Sequence, residues 1–367
     1  MILPGQIFGV LGDGPLGRMV AQAAETLGYR VRVFPSGAGA SPDNLAALRA
    51  FAGECAVVTC ESEDVPAESL CALAEAARLH PSPDVLRLGQ SRQRQKHWLR
   101  QNQFSQAACA EALDGDVAAA VARVGRPCVV KTADFSSDGG GQMRIADGAE
   151  LEQAAAVFRG RRCLVERWID FAAELSVMIA RSEAGETRMF PVTENIHARG
   201  VLDFSIVPAR VSAAATAEAQ HLARELAEKL GAVGLLAVEF FLTDRGELLV
   251  NEFAPRPHPS GCWSLDSGET SQFEQHVRAV CGLPLGPAGV REPTVTVHLP
   301  GEAWRGAGDP DWSAILREPR AKLHLYGGRE PQPGRKRGHF TVRASDAGLA
   351  LEAARGLKAA LFRRNFS

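Results

Sequence analysis

Strand-like and helix-like segments alternate at the start of the chain, and this alternation restricts the possible folds more than any other feature. "IFGVLG" is an apolar run of strand length. "PLGRMVAQAAETLG" has helical periodicity and stops at Gly28. "YRVRVF" is a second strand, "NLAALRAFAG" a second helix and "CAVVTC" a third strand. Strands separated by single helices at this spacing form a parallel, doubly wound sheet with helices on its faces. The polar stretch "LRLGQSRQRQKHWLRQ" is expected to be one helix that closes this domain.

Beyond it the character changes. "PCVVKTA", "CLVERWID", "ELSVMIARS" and "TRMFPV" read as strands, with the glycine-rich loop "SSDGGGQ" after the first of them. "AEAQHLARELAEKLG" is an amphipathic helix and "LLAVEFFLTDRGELLVNEF" a hairpin. From about residue 290 come "TVTVHL", "KLHLYG" and "GHFTV", then a helix, "LALEAARGLKAAL". The class is α/β. With 367 residues, 46% of them hydrophobic, the chain can bury the cores of two or three domains.

A formal net charge of -2 provides no global field to recruit nucleic acid or an acidic membrane surface. Local cationic clusters are therefore sites for small anions or solvated surface. The eight cysteines contain no Cys-x-x-Cys pair, which fits neither a zinc site nor a disulfide framework and suits a reducing compartment. No eighteen apolar residues run together, and "MILPGQIFGVLG" lacks a basic region, so a cytoplasmic protein is expected.

Three local patterns carry chemistry. "GDGPLG", with Gly12, Gly14 and Gly17, is a G-x-G-x-x-G turn between strand and helix, where backbone amides can meet a phosphate. The second strand offers no acid to hold a ribose hydroxyl, which disfavours a nicotinamide dinucleotide. A tight turn that needs small residues explains the glycines about as well as a phosphate does. In the hairpin, a two-residue turn at Arg245 and Gly246 would pair Asp244 with Glu247 and set Glu239 opposite Glu252. Two carboxylates facing each other on a mostly apolar face call for a cation between them, and a hard divalent ion is the economical one. Finally, Lys131 ends the strand "CVVK" just before the glycine loop, a suitable arrangement for nucleotide phosphates, although no P-loop is present.

Together these pieces resemble the ATP-grasp superfamily and, within it, the family of 5-(carboxyamino)imidazole ribonucleotide synthases. "GDGPLGRM", "CESEDVP", "QSRQRQK", "KTADF…DGGGQ", "ELSV", "ENIHARGVLDFSIVPAR", "NEFAPRPH", "ETSQFEQHVRA" and "PGRKRGH" follow in the family's order along almost the whole chain. The resemblance implies an ATP-grasp fold over residues 96–288. A Rossmann-like parallel-sheet domain (1–95) would precede it, and a small, mostly β domain (289–367) would follow.

It also implies an ATP site made by Arg92, Lys96, Lys131, the loop Ser136, Ser137, Asp138, Gly139, Gly140, Gly141 and Gln142, the hinge Glu166, Arg167, Trp168 and Ile169, and Glu174, His197, Asn251 and Glu252. Glu239 and Glu252 would hold Mg²⁺ or Mn²⁺. The aminoimidazole ribonucleotide would lie among Gly14, Pro15, Leu16, Glu61, Glu63, Asp138, Arg256, His258, Arg335 and Lys336, with Lys131 and Arg256 acting at the reacting groups. Arg335 and Lys336 are expected to fold back on the "GDGPLG" loop and bind the 5′-phosphate together with its amides. Departures from the family pattern fall at Pro15 (usually Gln), Ser136 and Ser137 (Gly-Tyr), Gly140 (basic), Pro259 (Asn) and Cys262 (His).

The implied reaction is ATP- and bicarbonate-dependent carboxylation of 5-aminoimidazole ribonucleotide, releasing ADP and phosphate, by a homodimer acting in purine synthesis. Another ATP-grasp carboxylate–amine ligase, such as a formate-using glycinamide ribonucleotide transformylase, is the nearest alternative. An ATP-binding homologue with reduced turnover is the next.

Overall fold

The computed structural model describes all residues except 36–40, 135–140, 302–309, 328–335 and 364–367. The first sheet contains β1 (Ile7–Leu11), β2 (Arg30–Phe34) and β3 (Val57–Cys60), all parallel, in the order β2-β1-β3. The helix Pro15–Thr26 lies on one face with Phe8, Val10, Tyr29, Phe273 and Val277. On the other face, Leu48, Ala52, Leu70 and Leu73 of the helices Pro42–Gly53 and Ala67–Ala76 pack on Leu11 and Val58. This is the two-faced burial that the alternating sequence implies.

The polar stretch expected to be one helix is two, Pro83–Gly89 and Arg92–Gln101. Gly89 ends the first. Ser91, in an extended conformation, caps the second by accepting from the Arg94 amide, so the chain restarts rather than continues.

A second sheet is antiparallel: β4 (Cys109–Ala112), β5 (Cys128–Thr132), β6 (Gln142–Ile145) and β7 (Cys163–Arg167), in the order β4-β7-β5-β6. The remaining strands are β8 (Phe171–Arg181), β9 (Thr187–Met189), β10 (Thr193–Ala198), β11 (Val201–Val207), β12 (Gly234–Thr243), β13 (Leu248–Ala254), β14 (Thr294–Pro300), β15 (Ala321–Leu325) and β16 (Lys336–Arg343). They run β13-β12-β8-β10-β11-β14-β16-β15, with β9 beside β8. The strands β10 and β11, from "ENIHARGVLDFSIVPAR", were not read as strands from the sequence. The helix Ala347–Arg363 covers Val295, Val297, Phe340 and Val342 of β14 and β16.

The chain divides into two compact units. The first is Met1–Arg87, Ser176–Ala237 and Ala254–Ser367; the second is Leu88–Leu175 and Val238–Phe253. All eight cysteines are free thiols. No helix among the described residues is long and apolar enough to cross a membrane.

Candidate active site

In the second unit, sheet register gathers the cationic groups. Val129 of β5 pairs with Glu166 of β7, so Lys131, two residues along, is Glu166's diagonal neighbour on the same face. Lys131 Nζ donates to Glu166 Oε2 at 3.1 Å. The helix Arg92–Gln101 brings Lys96 Nζ to 3.5 Å from the same oxygen. Glu166 is 2% exposed, Lys96 4% and Lys131 8%. Burial alone would raise the Glu166 carboxyl, but the fields of Lys131 and Lys96 outweigh it and hold it below the usual range. Burial also lowers Lys96, against the pull of Glu166.

Two buried ammonium groups thus share one carboxylate, and Lys96 Nζ makes no hydrogen bond among the described residues. A buried surplus of positive charge is costly unless an anion meets it, so this pair is suited to a phosphate. Arg92 donates to the Thr132 and Asp134 carbonyls at 3.1 and 3.3 Å, fixing its helix to the end of β5. Its Nε lies 4.0 Å from Glu252.

The hairpin turn differs from the expected two-residue loop. The Gly246 amide donates to the Thr243 carbonyl and the Thr243 amide to the Glu247 carbonyl, both at 2.9 Å, so Thr243 faces Glu247 across three residues. Gly246 takes φ +82°, the left-handed position that such a loop requires. Counting outward, Glu239 stands across from Asn251 rather than Glu252. Burial alternates evenly from Leu248 to Asn251 and then slips by one: Asn251 and Glu252 are both half-buried, and Phe253 takes the buried side.

The oxygen set at this strand end is therefore Glu239, Asn251 and Glu252. Asn251 Oδ1 is buried and accepts no hydrogen bond from the described residues. A carbonyl oxygen in want of a partner, beside carboxylates, fits a hard divalent cation.

The first unit holds a different constellation. The amides of Gly14 and Gly17 donate to the Glu61 carboxylate at 2.8 and 2.6 Å. A Cβ at Gly12, Gly14 or Gly17 would run into the Glu61 side chain. The turn is glycine-rich because a carboxylate from the end of β3 already caps this helix. Two of the amides expected to hold a 5′-phosphate, those of Gly14 and Gly17, thus meet an internal carboxylate. Burial raises the Glu61 carboxyl, the two amide bonds partly oppose it, and Arg256 opposes it further.

Arg256 Nε donates to Glu63 Oε2 at 2.8 Å, which brings together two residues singled out 193 positions apart. His258 is two residues on. Burial and then the charges of Arg256, Lys336 and His197 push its basicity well below the ordinary value. Lys336 and His197 are thus among the groups whose charge acts on His258 within this unit.

Of the other expected residues, Trp168 gives its amide to the Pro127 carbonyl and its indole N–H to Asp170. The guanidinium of Arg144 lies 4.9 Å over the Trp168 ring. Arg167 Nη1 donates to the Val124 carbonyl at 3.3 Å. Gln142 pairs with Lys131, and the Gly141 carbonyl accepts from the Thr132 amide. Glu174 and Ile169 lie at and just before the start of β8. Ser136, Ser137, Asp138, Gly139, Gly140 and Arg335 lie outside the described residues.

Sequence reasoning missed Ser176, Asn195, Ser205 and His298, which join Ser260 in a buried polar chain ending at His258. Their only signal was membership in the quoted motifs, in strand positions where an apolar residue is ordinary.

Comparison with known proteins bears on this geometry. Residues 6–90 match the ribonucleotide synthetase preATP-grasp domain, 94–273 the ATP-grasp domain, and 294–353 the phosphoribosylaminoimidazole carboxylase C-terminal domain. An N5-carboxyaminoimidazole ribonucleotide synthase of Bacillus subtilis is 41% identical over 360 residues, covering 93% of this chain and 92% of its own. The crystal structure of an ADP complex of N5-carboxyaminoimidazole ribonucleotide synthetase matches with a TM-score of 0.91 at 35% identity, covering 100% of this chain and 99% of that one. The Aspergillus clavatus synthase in complex with ADP and 5-aminoimidazole ribonucleotide matches at 0.88 with 28% identity, covering 98% and 99%. The chain belongs to the N5-carboxyaminoimidazole ribonucleotide synthase family of ATP-grasp ligases.

Proposed function

We propose that the protein is an ADP-forming ligase that carboxylates 5-aminoimidazole ribonucleotide with bicarbonate and ATP in purine biosynthesis. The observation that carries this reading is the buried pair Lys96 and Lys131, which shares the single carboxylate of Glu166 inside an ATP-grasp unit. Phosphoryl transfer asks for positioning and charge neutralisation more than for a nucleophilic side chain. Lys131 and Lys96 neutralise phosphate oxygens, and Arg92 holds the helix that carries Lys96. Glu239, Asn251 and Glu252 would hold Mg²⁺ or Mn²⁺, which when bound offsets phosphate charge.

Bicarbonate oxygen attacks the γ-phosphorus to give carboxyphosphate and ADP. The exocyclic amine of the aminoimidazole then takes the carboxyl carbon, and inorganic phosphate leaves. Glu63 fixes the guanidinium of Arg256, so Arg256 and His258 meet the ribonucleotide from a rigid Pro-rich turn. Lys336 supplies positive charge beside His258, suited to an anionic substrate. With Glu61 already on the loop amides, Lys336 becomes the better candidate for the 5′-phosphate. The homodimer rests on the family resemblance, and the cytoplasmic location on the sequence, which has no run of eighteen apolar residues.

Phosphate release measured with each substrate omitted in turn tests the reading. Release should require ATP, bicarbonate and 5-aminoimidazole ribonucleotide together. Release that ignores bicarbonate, or that formate and glycinamide ribonucleotide sustain, would replace it with the transformylase alternative.

A further inference from the structure

A continuous hydrogen-bonded chain runs through the interior of the first unit. His298 Nε2 lies 3.3 Å from Ser205 Oγ, Ser205 Oγ 3.1 Å from Asn195 Oδ1, and Asn195 Nδ2 2.9 Å from Ser176 Oγ. Ser176 Oγ is 2.9 Å from Ser260 Oγ, which lies 2.8 Å from His258 Nδ1. Ser176, Ser205 and Ser260 are fully buried, His298 is 1% exposed and Asn195 5%. Five polar side chains on four strands and a turn are seldom buried together unless their orientation matters.

The direction of every link follows from its two ends. At one end the Ser260 backbone amide donates to His258 Nδ1 at 3.3 Å. A backbone N–H cannot accept, so Nδ1 carries no proton and neutral His258 carries it on Nε2. At the other end His298 Nδ1 is buried without a hydrogen-bond partner among the described residues. A buried N–H left unmade costs more than a bare lone pair, so the His298 proton also sits on Nε2 and donates to Ser205. Between these ends one polarity satisfies every group. Ser205 donates to Asn195 Oδ1, Asn195 Nδ2–H to Ser176, Ser176 to Ser260, and Ser260 to His258 Nδ1 at 2.8 Å in preference to the weaker acceptor Met178 Sδ at 3.7 Å.

We infer that Ser176, Asn195, Ser205 and His298 are positioning residues that lock His258 in its Nε2–H tautomer, so that it meets the reacting end of the ribonucleotide as a hydrogen-bond donor and not as a general base. The motifs "ELSV" and "ENIHARGVLDFSIVPAR" then have a role in the first unit, through Ser176, Asn195 and Ser205. The cationic surroundings agree, since Arg256, Lys336 and His197 all disfavour a second proton on His258. An Nε2–H donor is complementary to a carboxylate or phosphate oxygen. The proton lost by the attacking amine goes elsewhere, with the departing phosphate as the natural acceptor. The link to catalysis rests on the function proposed above; the tautomer does not.

Nitrogen-15 NMR of histidine-labelled full-length protein, with the His258 signal assigned by His258→Gln, reads the tautomer without substrate. The expected spectrum has a protonated Nε2 and a bare Nδ1, with no titration over about pH 5 to 8. In Asn195→Leu and Ser205→Ala the Ser260 hydroxyl loses its imposed direction, and only the long 3.3 Å bond from the Ser260 amide opposes a proton on Nδ1, so His258 should populate both tautomers. The kcat should then fall roughly ten- to a hundredfold with little change in the KM for ATP, and Ser205→Thr should restore both readouts. A protonated Nδ1 in the wild type, or a wild-type tautomer and pH profile in well-folded Asn195→Leu and Ser205→Ala, would overturn the inference. Protein with the expected tautomer but no carboxylation would instead overturn the functional reading.

Discussion

Glu166 shows how one residue can serve both stability and chemistry. At 2% exposure it is held ionised by Lys131 and Lys96, and without it the two lysines would lose the carboxylate that both of them meet. Removing one partner from such a cluster costs about 3–5 kcal/mol, so Glu166→Gln should unfold at markedly lower denaturant. The acid dependence has a definite sign. The folded carboxyl titrates below its ordinary value of 4.5, so the stability it contributes is complete above that value and is lost as pH falls through the lower folded one. Urea titrations at neutral and acid pH should therefore converge for wild type and Glu166→Gln on acidification. Equal stability at neutral pH would show that the lysines do not depend on this carboxylate. Lys131 was legible from the sequence because it ends a buried strand before a glycine loop. Glu166 was named for an adenine hinge, and only the strand register shows it beneath the lysines.

At the scale of single elements, local turn chemistry decided where sequence reading stopped. The β12–β13 hairpin was recognised by its apolar runs around "TDRG", but its register was not. With Gly246 in the left-handed region the loop takes in Asp244 as a third residue, and one residue changes every cross-strand partner. Glu239 then faces Asn251, an oxygen donor that the two-carboxylate reading placed on the opposite face. Gly246→Ala should cost about 1 kcal/mol, the left-handed penalty less a smaller gain from a stiffer unfolded chain. Thermal unfolding checks this, and a stabilised variant would mean that the turn adopts another geometry. The "GDGPLG" turn taught the converse lesson. Its glycines are legible in the sequence, and the structure gives them a local reason, the close approach of Glu61. That a carboxylate from the next strand, Glu61, would fill the amides was not visible, because the contact spans 47 and 44 residues.

For the whole molecule, the alternating first domain, the mixed middle and the β-rich end could be read directly because hydrophobic periodicity reports them. The chemistry could be read because weak motifs recur in a fixed order. Lys131 and the hairpin acids fall in one compact unit, and Glu63, Arg256 and His258 in the other. What could not be read was the polar interior of β8, β10, β11 and β14. Serine, asparagine and histidine in strand positions carry no period, and their partners lie up to 93 residues away. The proposed function requires that bicarbonate be activated by phosphorylation before it reaches the amine. Turnover with ¹⁸O-labelled bicarbonate, ATP and 5-aminoimidazole ribonucleotide, followed by mass analysis of the released phosphate, tests this most directly. One labelled oxygen should appear in each phosphate, together with a carboxylated amine. Unlabelled phosphate released at the same rate would mean that water, not bicarbonate, takes the γ-phosphoryl group.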